Sequence, residues 1–138
     1  MSSYGEMREK FFSYLLKRPC TYKQAEEYLT RLKLDERAFS ALMNEAEDTG
    51  LIDDEAYAKL FAEGHTNWGN AKISYELGAR GVSRENIRTA LSEIDDEADR
   101  AAEIAEGWLK SGIDWKKIKS RLMSRGFTER SLHSLTEM

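Results

Sequence analysis

Apolar residues recur along this chain at intervals of three and four, the spacing that places them on one side of an α-helix. The first run comprises Met7, Phe11 and Leu15, and it ends at the pair Arg18-Pro19. We find no convincing alternation of apolar and polar residues of the kind that is typical of a β-strand. The pattern therefore predicts an all-α protein.

Short polar residues mark where the predicted helices begin, because their oxygens can accept hydrogen bonds from the free N–H groups of a first turn. Glycines mark where several helices end, because glycine adopts the left-handed conformation that closes a helix. We predict caps at Thr21, Asp35, Asp53 or Asp54, Ser83, Asp95 or Asp96, and Thr128. The predicted apolar sides include Tyr57, Ala58, Leu60 and Phe61; Ile73, Tyr75 and Leu77; and Ala101, Ile104, Ala105, Trp108 and Leu109.

Two short motifs occur twice and indicate an internal repeat. Asp53-Asp54-Glu55-Ala56 reappears as Asp95-Asp96-Glu97-Ala98, and Arg80-Gly81-Val82-Ser83 reappears as Arg125-Gly126-Phe127-Thr128. A weaker first copy has Lys33 where the later copies have glycine. Stacked helical units have periods of this order. The sequence therefore predicts an elongated array of three tandem three-helix, helix-turn-helix-like repeat units, at residues 1–50, 51–94 and 95–138.

The overall composition narrows the class of protein. Charged residues make up 33% of the chain and proline occurs once, which favours helices with solvated faces. No apolar stretch is long enough to span a membrane. The N-terminus lacks the basic start and apolar run of a secretory signal, and a single cysteine, Cys20, can form no internal disulfide. We therefore expect a cytoplasmic protein, and a monomer.

The charge is distributed unevenly along the chain. The formal net charge is −4, yet residues 108–138 hold seven lysines and arginines against three acidic residues. The acidic remainder argues against non-specific binding of nucleic acid by the whole surface. We expect any contact with an anionic partner to involve the basic C-terminal unit.

Two stretches in the middle of the chain resemble a known family. The first, from Gly50 to Ala58, reads Gly-Leu-Ile-Asp-Asp-Glu-Ala-Tyr-Ala, and the second, from Ile73 to Ser83, reads Ile-Ser-Tyr-Glu-Leu-Gly-Ala-Arg-Gly-Val-Ser. Together with residues 117–127, these stretches resemble the RecX family, the regulatory proteins of the RecA recombinase. The resemblance covers about residues 8–135. One departure concerns the loop before the second stretch, where family members usually carry Arg-Ser-Arg-x-x-Gly-x-Gly-Pro and this chain has residues 63–70 without arginine or proline.

The resemblance implies a modulator that is not an enzyme and uses no cofactor. Proteins of this family bind the RecA–single-stranded-DNA filament, lie in its helical groove, and limit its growth or promote its disassembly. An array of repeats suits this task, because it builds a long contact surface. We therefore expect the RecA filament as the partner, with weak direct binding of DNA and no membrane association.

Basic and aromatic residues are the candidates for contact with such a partner. Lys117, Arg121 and Arg125 recur every four residues, and their offset from the apolar Ile118 and Leu122 predicts a stripe that faces solvent. For every candidate an ordinary packing or solvated role stays open, and Trp68 could fill the core between the first and second units. The other candidates are His65, Trp68 and Lys72 near the glycine loop, and Arg80, Arg84 and Arg88 near the second corner.

Two other functions are open at this point. An autonomous DNA-binding module would fit because three-helix units resemble helix-turn-helix domains, and its binding would fall steeply with salt. A metal-dependent nuclease would use the acidic clusters as ligands. Recurrence of those acids at predicted helix starts favours a capping role instead.

Overall fold

The structure of the chain, a computed structural model, describes residues 3–137. No strand occurs within that range, and the prediction of an all-α fold is confirmed. The helices are α1 (Tyr4–Lys17), α2 (Tyr22–Thr30), α3 (Glu36–Asp48), α4 (Asp54–Gly64), α5 (Asn70–Ala79), α6 (Arg84–Ser92), α7 (Glu97–Lys110), α8 (Trp115–Ser124) and α9 (Glu129–His133), followed by a 3₁₀ turn (Ser134–Glu137).

The buried apolar residues form three separate clusters along the chain. Phe11, Leu29 and Leu42 are central to the first, Ile73 and Leu77 to the second, and Ile118, Leu122 and Leu132 to the third. Helices pack chiefly against helices of the same cluster. We refer to α1–α3, α4–α6 and α7–α9 as the first, second and third units. Leu51 and Ile52 pack on the first cluster, and the unit boundaries proposed from the sequence stay a prediction.

The array exposes more surface than a compact protein of its size. Its accessible surface is 8999 Å² for a mass of 15.9 kDa. A compact monomer of this mass would expose roughly 7,400 Å². The excess follows from the small contact between successive units, and it agrees with an elongated array.

Side-chain caps begin most of the helices, as the sequence indicates. Thr21 forms a capping box with Gln24, and Asp35, Ser83 and Thr128 each accept a hydrogen bond from the third residue of their helix. Where the sequence leaves two choices, the structure selects Asp53 for α4 and Asp96 for α7. The acidic repeats therefore act as helix-starting residues in both copies.

The corners between the second and third helices of each unit share a left-handed residue. Gly81 and Gly126 both have φ of +89°, and Lys33 occupies the equivalent position in the first unit with φ of 55°. A residue with a β-carbon is strained in this conformation, whereas glycine is not. Lys33 therefore makes the first corner less favourable than the other two.

Three apolar residues that the sequence places on inward faces are exposed instead. Leu60 is 62% exposed and Tyr75 is 75% exposed. Leu60 lies two positions from the buried Ala58, and Tyr75 lies two positions from the buried Ile73, so each points to nearly the opposite side of its helix. Leu109 is also exposed, because it lies in the last turn of α7, beyond the buried stripe.

Candidate partner-binding surface

The loop between α4 and α5 holds His65 and Trp68 in a stack of rings. The His65 ring centroid lies 4.2 Å from that of Phe61 and 4.2 Å from that of Trp68, and His65 Nδ1 lies 2.7 Å from the Phe61 carbonyl oxygen. Lys72 Nζ lies 4.2 Å from the Trp68 ring centroid. These rings are therefore occupied by contacts within the protein. Trp68 packs on the second cluster, so of the roles left open for it, filling the core between the first and second units is not the one that the structure shows.

Arg100 on α7 fixes this loop, and it is not among the candidates predicted from the sequence. Its side chain is buried, and its guanidinium donates hydrogen bonds to backbone oxygens on both sides of the junction between the second and third units. A buried guanidinium that donates to so many fixed oxygens locks a loop in one conformation. The acceptors are the carbonyl oxygens of Thr66 at 3.1 Å, Trp68 at 2.9 Å and Asp95 at 2.6 Å, and Asn70 Oδ1 at 2.8 Å.

Glu97, the first residue of α7, lies beside Arg100 and joins the same two units. Its carboxylate accepts hydrogen bonds from the backbone N–H of Asn70 at 3.0 Å, and from the N–H and hydroxyl of Thr128 at 2.6 and 2.8 Å. Burial of Glu97 opposes ionisation, but these hydrogen bonds outweigh it and lower the pKa of the carboxyl below its ordinary value. Desolvation by burial is the main reason that the pKa of Arg100 is also lowered from its ordinary value.

The junction between the first and second units repeats this arrangement. Asp54, the first residue of α4, accepts a hydrogen bond of 2.8 Å from the N–H of Tyr22, the first residue of α2. The fully buried Thr21 donates its hydroxyl proton to the Arg80 carbonyl oxygen at 2.6 Å. Each junction thus joins a carboxylate at the start of one unit to a helix start in the unit before it.

At the junction between the second and third units, a backbone N–H makes the contact that the Thr21 hydroxyl makes at the first junction. Gly69 N–H donates to the Arg125 carbonyl oxygen at 2.8 Å, and a β-carbon on Gly69 would overlap the backbone of Gly126 and Phe127. By position in the junction, Asp54 corresponds to Glu97 and not to Asp96. The sequence alignment of the two acidic motifs is therefore wrong by one residue, because an acid occupies both the cap and the next position in each copy.

Arg80 at the second corner is only partly available to a partner. Its Nη1 pairs with Glu76 at 2.9 Å, and its Cζ lies 4.8 Å from the Phe61 ring centroid. Arg84 and Arg88, on α6, are exposed. The three candidates of this corner therefore differ, with Arg80 half-buried in the second unit and the other two directed to solvent.

The α8 stripe is also divided between packing and exposure. Lys117 and Arg121 are exposed, while Arg125 is half-buried. The Cζ atoms of Arg121 and Arg125 lie 5.4 and 4.9 Å from the ring centroid of Trp108 on α7. The expectation that the whole stripe faces solvent is therefore wrong for Arg125. Trp108 holds both guanidiniums through cation–π contacts and limits where they can point.

Among residues 3–137, no three His, Cys, Asp or Glu side chains are grouped as a metal ion would require. In the same range no helix has both the length and the apolar character needed to cross a membrane.

Comparison with known proteins decides the family. A family model described as "RecX, second three-helix domain" matches residues 53–91, the segment that contains α4, α5 and nearly all of α6. Regulatory protein RecX of Chlorobium phaeobacteroides is 32% identical over 111 residues, which cover 75% of this chain and 74% of that protein. The chain belongs to the RecX family. Arg100 fixes the backbone within residues 63–70, the loop in which the sequence lacks the arginines expected from the resemblance.

Other RecX proteins match nearly the whole chain. Regulatory protein RecX of Pectobacterium atrosepticum is 27% identical over 138 residues, covering 94% of this chain and 84% of that protein. Regulatory protein RecX of Lactobacillus delbrueckii subsp. bulgaricus is 27% identical over 136 residues, covering 90% of this chain. The chain spans about half the length of that relative, 50%. The crystal structure of RecX from Lactobacillus salivarius has the same fold, with a TM-score of 0.82 at 23% identity over 97% of this chain and 94% of that one.

Proposed function

We propose that this chain is a non-enzymatic regulator that binds the RecA–single-stranded-DNA filament in its groove and limits filament growth and RecA ATPase activity. Membership of the RecX family is the observation that carries the proposal, since the curated relatives are named regulatory proteins. The array supports it, because successive units fixed by hydrogen bonds at each junction can follow an extended partner.

The third unit supplies the basic part of the proposed contact. Lys117 and Arg121 are exposed on α8, and the Trp108 ring orients Arg121. Guanidinium and ammonium groups on such a face suit phosphates or the carboxylates of a protein. Arg84 and Arg88 extend the exposed basic surface on the second unit.

The acidic motifs have structural roles that support a regulator over a metal-dependent nuclease. Asp53 and Asp96 accept hydrogen bonds from the first turns of α4 and α7. Asp54 and Glu97 accept hydrogen bonds across the junctions between units. Helix capping and hydrogen bonding between units therefore account for the positions of these four carboxylates.

Binding to preformed RecA filaments, followed by fluorescence anisotropy and by RecA ATPase activity, tests the proposal. We expect binding and inhibition with the wild-type chain, and a loss of about tenfold or more in affinity for the double variant Lys117→Glu with Arg121→Glu. The matched control, Lys10→Glu with Arg37→Glu, makes the same charge change at exposed positions of the first unit and should bind as the wild type does. Arg125 is left unchanged because it is half-buried, whereas Lys117 and Arg121 are exposed.

The same titration separates this function from an autonomous DNA-binding module. Binding to single-stranded DNA without RecA, as tight as binding to the filament and falling steeply as salt rises, would favour the DNA-binding module. Absence of filament binding at micromolar concentration, together with an unchanged ATPase rate, would disprove the proposed function.

A further inference from the structure

A groove crosses the place where the first unit meets the second, over the segment that joins α1 to α2. It has two adjoining recesses, of about 360 and 350 Å³, which share Arg18, Pro19, Cys20 and Tyr57 in their walls. The neighbouring Thr21 is fully buried and bonded to the Arg80 carbonyl oxygen. The groove is therefore built on a fixed junction, and a ligand would not have to order it.

The first recess is positively charged, and we call it the arginine recess after Arg18, Arg31 and Arg80 in its wall. Glu27 is the acidic residue in the same wall, and Arg80 already pairs with Glu76. Arg18 and Arg31 are exposed, and among the described residues neither forms an ion pair. Two guanidiniums that form no ion pair and line one cavity make a site for an anionic group, with Glu27 as the acidic residue opposing it.

The second recess is apolar, and we call it the leucine recess after Leu15, Leu16, Leu51 and Leu60 in its wall. Leu16 on α1 is 70% exposed and Leu60 on α4 is 62% exposed. Single exposed leucines are ordinary on protein surfaces. Here two of them, from different units, line one depression that continues into a charged recess, and such a combination is typical of a protein-binding surface.

The two recesses together define the chemistry of an occupant. The arginine recess suits a carboxylate, and the leucine recess suits a branched or aromatic apolar side chain a few residues away. A nucleic acid strand fits less well, because the leucine recess sets Asp53 and the exposed aliphatic side chains of Leu16 and Leu60 beside its basic residues, Lys17 and Arg18. The first 107 residues are also net acidic. This negative charge repels a long polyanion more strongly than a short segment that carries one or two carboxylates.

From this geometry we infer that the groove is a docking site for an acidic segment of a partner protein, anchored by an apolar side chain in the leucine recess and by a carboxylate in the arginine recess. The site lies on the opposite part of the chain from the basic α8 surface. It goes beyond the proposed function, since it requires neither DNA nor a filament.

A displayed library of random dodecapeptides, selected on the full-length chain, tests the inference. We expect the enriched peptides to combine Asp or Glu with Leu, Ile or Phe. A selected peptide labelled with fluorescein is then titrated with the wild-type chain, Arg18→Glu and Leu60→Ser. Each variant should weaken binding by about tenfold or more, as for a residue at the centre of an interface. All the substituted side chains are exposed, and thermal unfolding checks that the variants fold.

Two matched controls make the same chemical changes elsewhere. Arg37→Glu on α3 and Leu109→Ser on α7 alter exposed side chains outside the groove and should leave the peptide affinity unchanged. The inference is overturned if no acidic-apolar peptide is enriched, or if the selected peptide binds Arg18→Glu and Leu60→Ser as it binds the wild type. It is also overturned if fluorescein-labelled oligothymidine binds and competes with the peptide for the groove. Since RecA is absent from this assay, its failure leaves the proposed function untouched.

Discussion

Gly69 brings the start of α5 into direct backbone contact with the last corner of the chain. A β-carbon at this position would overlap the backbone of Gly126 and Phe127, and no flexible side chain is there to move aside. We expect Gly69→Ala to lower the free energy of unfolding by about 1–3 kcal/mol, the cost of forcing packed backbone apart.

Urea denaturation measures this loss, and the same helix provides the control. Gly78 is exposed on α5, and its added β-carbon would meet nothing within 4 Å. Gly78→Ala should therefore stabilise the protein by about 0.5–1 kcal/mol through helix propensity. If Gly69→Ala unfolds at the wild-type urea concentration, the close approach that we describe is incorrect.

Glu97 makes the stability of the chain depend on pH. Its pKa is lowered in the folded state, so its contribution is full above 4.5, the ordinary carboxyl value. As the pH falls below that value, the unfolded chain takes up the proton first, and the contribution is lost as the folded carboxyl in turn titrates. We expect Glu97→Gln to cost about 2 kcal/mol at neutral pH, because charge-assisted hydrogen bonds from Asn70 and Thr128 weaken.

Melting temperatures recorded by circular dichroism over a range of pH test this dependence. The difference between wild type and Glu97→Gln should narrow as the solution is acidified. Glu103→Gln, an exposed change on the same helix, should show no such narrowing. A constant difference at every pH would show that the ionised carboxylate contributes nothing.

At the scale of the helices, Thr21 connects the start of α2 to the end of α5. Its hydroxyl accepts a hydrogen bond from Gln24 N–H and donates one to the Arg80 carbonyl oxygen. Thr21→Val keeps the volume but leaves both groups without their partner, and we expect a loss of about 2 kcal/mol or more. Thr21→Ser keeps the hydroxyl and removes one buried methyl, which should cost about 1 kcal/mol. Thermal unfolding should rank serine above valine, and the reverse order would contradict this role of the hydroxyl.

The helix starts and corners could be predicted from the sequence because they depend on neighbouring residues. Thr21, Ser83 and Gly81 act within a few positions of themselves, and their effects follow from local hydrogen bonding and backbone conformation. Periodicity was less reliable for single residues such as Leu60, because apolar residues lie on both sides of α4 and the spacing alone does not show which side meets the core.

The contacts between units could not be predicted in the same way. Arg100 bonds to backbone oxygens more than thirty positions earlier in the chain, and nothing in its own helix indicates this. Alanines surround it at positions 98, 101, 102 and 105, but Asp99 and Glu103 lie in the same stretch, so the stretch does not single out Arg100 as buried. Likewise, Arg121 and Arg125 are separated from Trp108 by the turn between α7 and α8, so their cation–π contacts depend on how those helices pack.

At the scale of the whole molecule, each unit has its own apolar cluster, and the junctions between units are narrow and polar. In such an array the units are coupled by their interfaces, and a weakened interface lets one unit open without the next. The double variant Gly69→Ala with Glu97→Gln weakens two contacts between the second and third units, while leaving the Arg100 hydrogen bonds and the apolar clusters in place.

Amide hydrogen exchange of this double variant shows whether the junction couples the two units. We expect the amides around Ile118 and Leu122 in the third unit to lose protection more than those around Leu29 and Leu42 in the first unit, whose junction with the second is unchanged. Equal loss of protection in all three units would mean that the chain unfolds as one body. A loss of protection confined to the units beside the weakened junction would show that each unit is coupled only to its neighbours. Such an array can change its curvature at one junction without unfolding the others, and so can follow an extended partner.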